Sequence, residues 1–155
     1  MHPIARWCGR RLAGYLTQPV GRASVTTSDA AALAAALQPG DVLLVDGNTR
    51  ISRVIRTLTQ STWSHAALCV ATGDQAADGL PRLVEADVKD GVREVSLALY
   101  AEAQTRICRP VGLHDDDLRR VLQHARDRLG HRYDLKNVLD LARYLLPAPP
   151  VPRRW

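Results

Sequence analysis

An α+β fold, a small antiparallel sheet packed by helices, is predicted by three features of the sequence. Short strand-like runs crowd into residues 64–110, separated by Gly- and Asp-containing turns. Stretches with helical spacing of apolar residues stand on both sides of that meander. The order is thus helices, strands, helices, where a doubly wound fold would alternate them strictly. A length of 155 residues fits one domain with a sizeable core. At 46% hydrophobic and 24% charged residues, the composition is that of a globular chain and excludes a disordered tail.

Residues 2–16 predict an amphipathic helix, with Ile4, Trp7, Cys8, Leu12 and Tyr15 on one face and arginines opposite. Residues 17–27, rich in Thr, Ser, Gly and Pro, read as a linker, so 1–27 forms an N-terminal helix and linker. The main domain runs over 28–146. Ser28 or Asp29 caps a short alanine-rich helix ending near Leu37. QPGD then turns the chain into the buried strand DVLLVD. From Arg50, the spacing of Ile51, Val54, Ile55 and Leu58 predicts a helix with Arg50, Arg53 and Arg56 turned outward. Four strands follow, SHAALCVA, LPRLVEADV, GVREVSL and QTRICRPV. A helix over about 114–129 presents Leu118, Val121, Leu122, Ala125 and Leu129 on one face. The Asp115-Asp116-Asp117 run suits its N-terminus. A last helix starts at Asp134 with Leu135, Val138, Leu139, Ala142 and Leu145, and the tail 147–155, PAPPVPRRW to its end, is extended.

Several function classes drop out early. No run approaches the eighteen or so apolar residues of a membrane span, and the start lacks the apolar core of an export signal, which makes a cytoplasmic protein the expectation. Three widely spaced cysteines, Cys8, Cys69 and Cys108, predict free thiols, with neither a disulfide framework nor a zinc site. The net charge of +5 is carried almost wholly by arginine, with Arg6, Arg10, Arg11 and Arg22 unopposed near the start. Such a flank is open between a solvated face, a helix packed on the domain and peripheral contact with a membrane surface; aromatics are too few and too far from the arginines for nucleic-acid stacking. Neither a cofactor nor a metal is expected.

The chemistry concentrates at His65 and Glu85. Strand alternation puts His65, Ala67, Cys69 and Ala71 on one face, and small neighbours leave room beside the imidazole. On the next strand Leu83, Glu85 and Asp87 share a face, and a carboxylate inside an apolar strand is costly without a partner. A histidine on the adjacent antiparallel strand is a natural partner, since a carboxylate on one ring nitrogen fixes the tautomer. Spacing alone leaves His65 open between a general base and a half-buried, hydrogen-bonded strand residue. Trp63 is equally open, as the wall of a groove or as a core or rim residue.

PGDVLLVD, the helix RISRVIRTLTQ, STWSHAALCV, LVEADVKDGVREVSL and GHRYD, in that order, resemble the YiiX/YebB-like branch of the NlpC-type cysteine hydrolases, which are circularly permuted papain-like proteins. The resemblance covers roughly residues 38–146. It implies a permuted papain-like core and thiol-based hydrolysis of an amide or ester in a peptide or lipid, by an amidase, peptidase, esterase or acyltransferase. His65 is then the general base and Glu85 the residue that orients it. The resemblance also places a nucleophilic cysteine after the Gly130–Asp134 segment, at the start of a helix, and no cysteine follows there. Cys69 lies about 13 Å from His65 along an extended strand, too far for proton transfer. Nothing in the sequence brings Cys108 or Cys8 to His65, and Ser64 points to the opposite face. Two expectations follow. One is a thiol hydrolase present as a fragment, its last helix or helices missing, poorly soluble or partly open, and inactive. The other is a non-catalytic module whose old groove binds a lipid or peptide near a membrane.

Overall fold

The computed structural model describes residues 14–20 and 29–132. Of the helix expected over 2–16 only residues 14–16 are described, and these are helical. The helix expected from Asp134 and the tail from 147 lie outside the described residues. Part of the expected linker is not free. Pro19 bridges to Thr49 in antiparallel fashion, Val20 N–H donates to Asn48 O at 2.7 Å, and Arg50 N–H donates to Gln18 O at 3.2 Å.

Helix α1 (Ala30–Ala36) begins at Asp29, whose carboxylate accepts from Ala31 N–H at 2.9 Å. Strand β1 (Val42–Asp46) leads into α2 (Arg50–Thr59), capped by Thr49. Then come β2 (His65–Ala71), β3 (Arg82–Asp87), β4 (Gly91–Ser96), β5 (Gln104–Cys108) and α3 (Asp115–Asp127). Two 3₁₀ turns, Gly73–Gln75 and Leu97–Tyr100, separate the strands. The five strands form one sheet in the order β4-β3-β2-β1-β5, and every neighbouring pair is antiparallel. Hairpins thus connect β2 to β3 and β3 to β4, while β5 returns to the far edge beside β1.

The core sits on one face of this sheet. Leu43 and Val45 of β1, Ala67 and Cys69 of β2 and Leu83 of β3 pack against Leu37, Leu97 and Tyr100. Their alternation along the strands is the period of two that a half-buried antiparallel sheet requires. Two expectations are corrected. Arg56 is not turned outward but bonds to the Asp46 carboxylate and the Gly47 carbonyl, because α2 folds back over the end of β1. And α3 buries no residue: Val121 is exposed, as is Leu129 just beyond the helix, and α3 meets the sheet through Leu118 at Gly40 and an Arg126 bond to Val70 O.

The β3–β4 turn carries a conformational demand. Asp87 Oδ1 accepts from the backbone N–H groups of Lys89 and Asp90, both at 2.8 Å, and Gly91 leaves the turn at φ +78°. A Cβ at Gly91 would stand 2.3 Å from His131 O, the carbonyl that accepts from Val92 N–H at 2.9 Å. Gly91→Ala therefore meets both an unfavourable φ and a backbone clash. We expect a loss of about 2–3 kcal/mol in urea unfolding. Amide exchange at Val92 and Gly130 should quicken in the same variant, because the clash pushes the Gly130–His131 segment off the β4 edge. A loss below 0.5 kcal/mol would show that this segment is not held there.

Candidate active site

His65 opens β2 and Glu85 lies in the middle of β3. In the β2–β3 register Ala67 stands opposite Glu85, so His65 is one diagonal step away on the same face of the sheet. That step is within reach of two long side chains. His65 Nε2 and Glu85 Oε2 are 2.5 Å apart. With Glu85 as acceptor, the ring proton sits on Nε2 and the lone pair on Nδ1. The His65 side chain is 30% exposed, and among the described residues no hydrogen bond occupies Nδ1. The ring is therefore anchored on one side and open on the other.

Glu85 is 5% exposed, and burial by itself raises a carboxyl pKa. Three donors reverse that effect. His65 Nε2–H and the Tyr100 hydroxyl both donate to Oε2, and Arg93 donates through Nε to Oε1 at 2.8 Å, with Nη2 in ion-pair contact at the same distance. Together they hold the Glu85 pKa at about 2. Arg93 lies directly opposite Glu85 in the β3–β4 register and is held in turn by Asp90 through Nη1 at 2.7 Å. The Tyr100 hydroxyl is buried among these groups, and burial followed by the bond to Glu85 pushes its pKa up, so it acts only as a donor. Its ring centroid lies 6.3 Å from that of His65.

Both predicted residues are thus brought into contact, and two partners went unrecognised in the sequence. Arg93 was within reach of inference: the short DVKDG turn fixes a hairpin register that pairs it with Glu85. Tyr100 was not, since it comes from a 3₁₀ turn with no periodic signature.

The described thiols are not at this site. Cys69 shares the His65 face but is fully buried, and burial, offset in part by a contact with Ala71 O, pushes its pKa up to about 11. Such a thiol stays protonated at neutral pH and serves as a small core residue. Cys108 pairs with Val42, while His65 pairs with Val45 on the other edge of β1, so a whole strand separates them. Cys8 lies outside the described residues. Ser64 accepts from Gly47 N–H at 2.9 Å and braces the β1–α2 connection. Thr62 is exposed in the loop before β2.

A model of the permuted papain-like amidase family YaeF/YiiX, C92, matches residues 36–144. The chain belongs to this family. No curated protein sequence matches the chain. The match spans all five strands and α3, and it includes His65, Glu85, Arg93 and Tyr100. The permuted papain-like fold and α+β class expected from the sequence therefore hold, and an amidase or peptidase type of activity is what this family represents.

Proposed function

We propose that this YaeF/YiiX-family chain carries the base of a thiol-dependent hydrolase, with His65 as general base and Glu85 as its orienting partner. The observation that carries the reading is the 2.5 Å bond from His65 Nε2 to a buried, ionised Glu85, with Nδ1 left open. The sulfur is to come from outside the described residues, where Cys8 lies and where a cysteine beyond the given sequence would serve equally. In the reaction the thiol proton passes to Nδ1 and the thiolate attacks the carbonyl carbon of an amide or ester. The leaving amine or alcohol takes that proton back, and water then hydrolyses the acyl–sulfur bond, regenerating the thiol.

The test is acylation by an activated-ester probe, read as mass added to a cysteine, in the 155-residue chain and in a product read on past Trp155. His65→Ala should slow the labelling about a hundredfold where the sulfur is present. Cys8→Ser locates the sulfur if the shorter chain labels. Labelling that is insensitive to His65 in both proteins would sink the proposal.

A second reading, a non-catalytic module that binds an apolar group of a lipid or peptide, is favoured by one observation. Leu33, Leu80, Leu97, Ala98, Ala103 and the Tyr100 ring line an apolar cavity of about 140 Å³ beside the candidate site. Cavities of that size accept a ring or a short alkyl group. In this reading the basic N-terminal stretch would bring the chain to a membrane surface. Anionic-vesicle binding without any acylation would favour it.

A further inference from the structure

We infer that the apolar cavity between α1 and the Leu97–Tyr100 turn is the substrate subsite of this hydrolase, selecting an uncharged aliphatic or aromatic group of about six carbons. The inference deepens the proposed function and rests on it for the reaction, though not for the binding. Three observations support it. The cavity measures about 140 Å³, and apolar cavities of about 150 Å³ hold a benzene ring. Its lining consists of alanine and leucine side chains and the Tyr100 ring. The one polar side-chain atom among them, the Tyr100 hydroxyl, is taken up by Glu85. No lining side chain is therefore left to bond a charged or hydroxylated group, which would lose its water there without compensation.

The position of the cavity ties it to the base. Tyr100 is the residue shared by the cavity lining and the His65–Glu85 cluster. The bond to Glu85 fixes its buried ring, whose centroid stands 6.3 Å from that of the imidazole. A group in van der Waals contact with the cavity side of the ring lies at most about 10 Å from the centre of the imidazole. A short alkyl chain covers that span. An apolar end seated against Tyr100 thus leaves the carbonyl within reach of Nδ1. The other walls set the size limit. Leu33, Leu80 and Leu97 close them, and Leu97 is held in the core. The stretch LALYAEA adds three methyl groups, those of Ala98, Ala101 and Ala103, so the space exists because these positions are small. Helix α1 buries no residue, and its light hold lets it yield to an entering group.

The test uses the full 155-residue chain with labelled leucine methyl groups and a series of N-alkylacetamides from propyl to decyl. NMR follows the methyl signals of Leu33, Leu80 and Leu97. Affinity should rise about three- to fourfold with each added methylene as far as the hexyl chain, then level off once the cavity is full. Ala103→Leu fills the space and should weaken hexyl binding by about tenfold or more. Leu33→Ala enlarges it and should carry the rise about two carbons further. Unspecific association with an apolar surface would not respond to the two changes in opposite directions. If Ala103→Leu fails to fold, the Leu33→Ala series carries the same comparison. A flat series, a break that neither variant moves, or shifts confined to leucines outside the lining would overturn the inference. Activated esters then separate the subsite from the chemistry. Where the sulfur is present, a hexanoyl ester should label it about tenfold faster than an acetyl ester. Equal rates would overturn the subsite and leave the hydrolase reading. The expected binding series without any labelling would strike the hydrolase reading and leave the binding site standing.

Discussion

Glu85→Ala should destabilise the fold by about 3 kcal/mol at neutral pH, the largest single loss expected within the site. The change removes the one acceptor shared by His65, Arg93 and Tyr100. Arg93 and His65 are partly exposed and can turn to water, so they recover some of the loss. The Tyr100 hydroxyl is buried and is left without a partner, which costs a further 1–3 kcal/mol in the general case. The pH dependence has a definite sign. The folded Glu85 pKa of about 2 lies below the ordinary value of 4.5, so the carboxylate adds stability that is complete above about pH 4.5 and disappears as pH falls through about 2. Urea unfolding across that window should show the wild type losing stability more steeply than Glu85→Ala, with the two curves converging near pH 2. Parallel curves would mean that Glu85 is not the ionised centre of the cluster.

Asp41→Ala should cost a comparable amount, about 3 kcal/mol, although it lies away from the site. Asp41 is 2% exposed and forms the hub of a different network. Arg109 donates to both of its oxygens, through Nε at 2.8 Å and Nη2 at 2.7 Å, and the Gln38 backbone N–H donates to Oδ2 at 2.8 Å. The Arg109 bonds are the main reason that the Asp41 pKa lies below the ordinary carboxylate range. Arg109 also donates to Ala36 O, so one arginine joins the end of α1, the start of β1 and the residue after β5. Without the carboxylate, Gln38 N–H loses its acceptor and the sheet loses a tie between the start of β1 and the end of its neighbour β5. The expected result is a lower urea midpoint with an unchanged m-value, since the unfolded chain is untouched. Asp41→Asn should fall between the two, as the amide keeps one acceptor without the charge. A loss under 1 kcal/mol for Asp41→Ala would show that the network is replaceable by water.

The two networks put two buried carboxylates to different uses. The aspartate of the PGD stretch ties the fold together. The glutamate of the LVEAD stretch, buried at a similar depth, bonds the histidine. Each carboxylate is paired with an arginine from elsewhere in the chain, Glu85 with Arg93 of β4 and Asp41 with Arg109 just after β5.

From the sequence alone, the five strands, α1, α2 and α3 could be placed, because period-two and helical spacing report directly on which side chains a core must bury. The pairing of His65 with Glu85 was also legible. Alternation sets the face of each residue, and a carboxylate in an apolar strand demands a partner nearby. What only the tertiary structure decided was the company these residues keep. Register selected Arg93, a 3₁₀ turn delivered Tyr100, and the fold-back of α2 took Arg56 inward to Asp46. Such choices depend on how far apart two elements sit in three dimensions. Local periodicity carries no information about that distance.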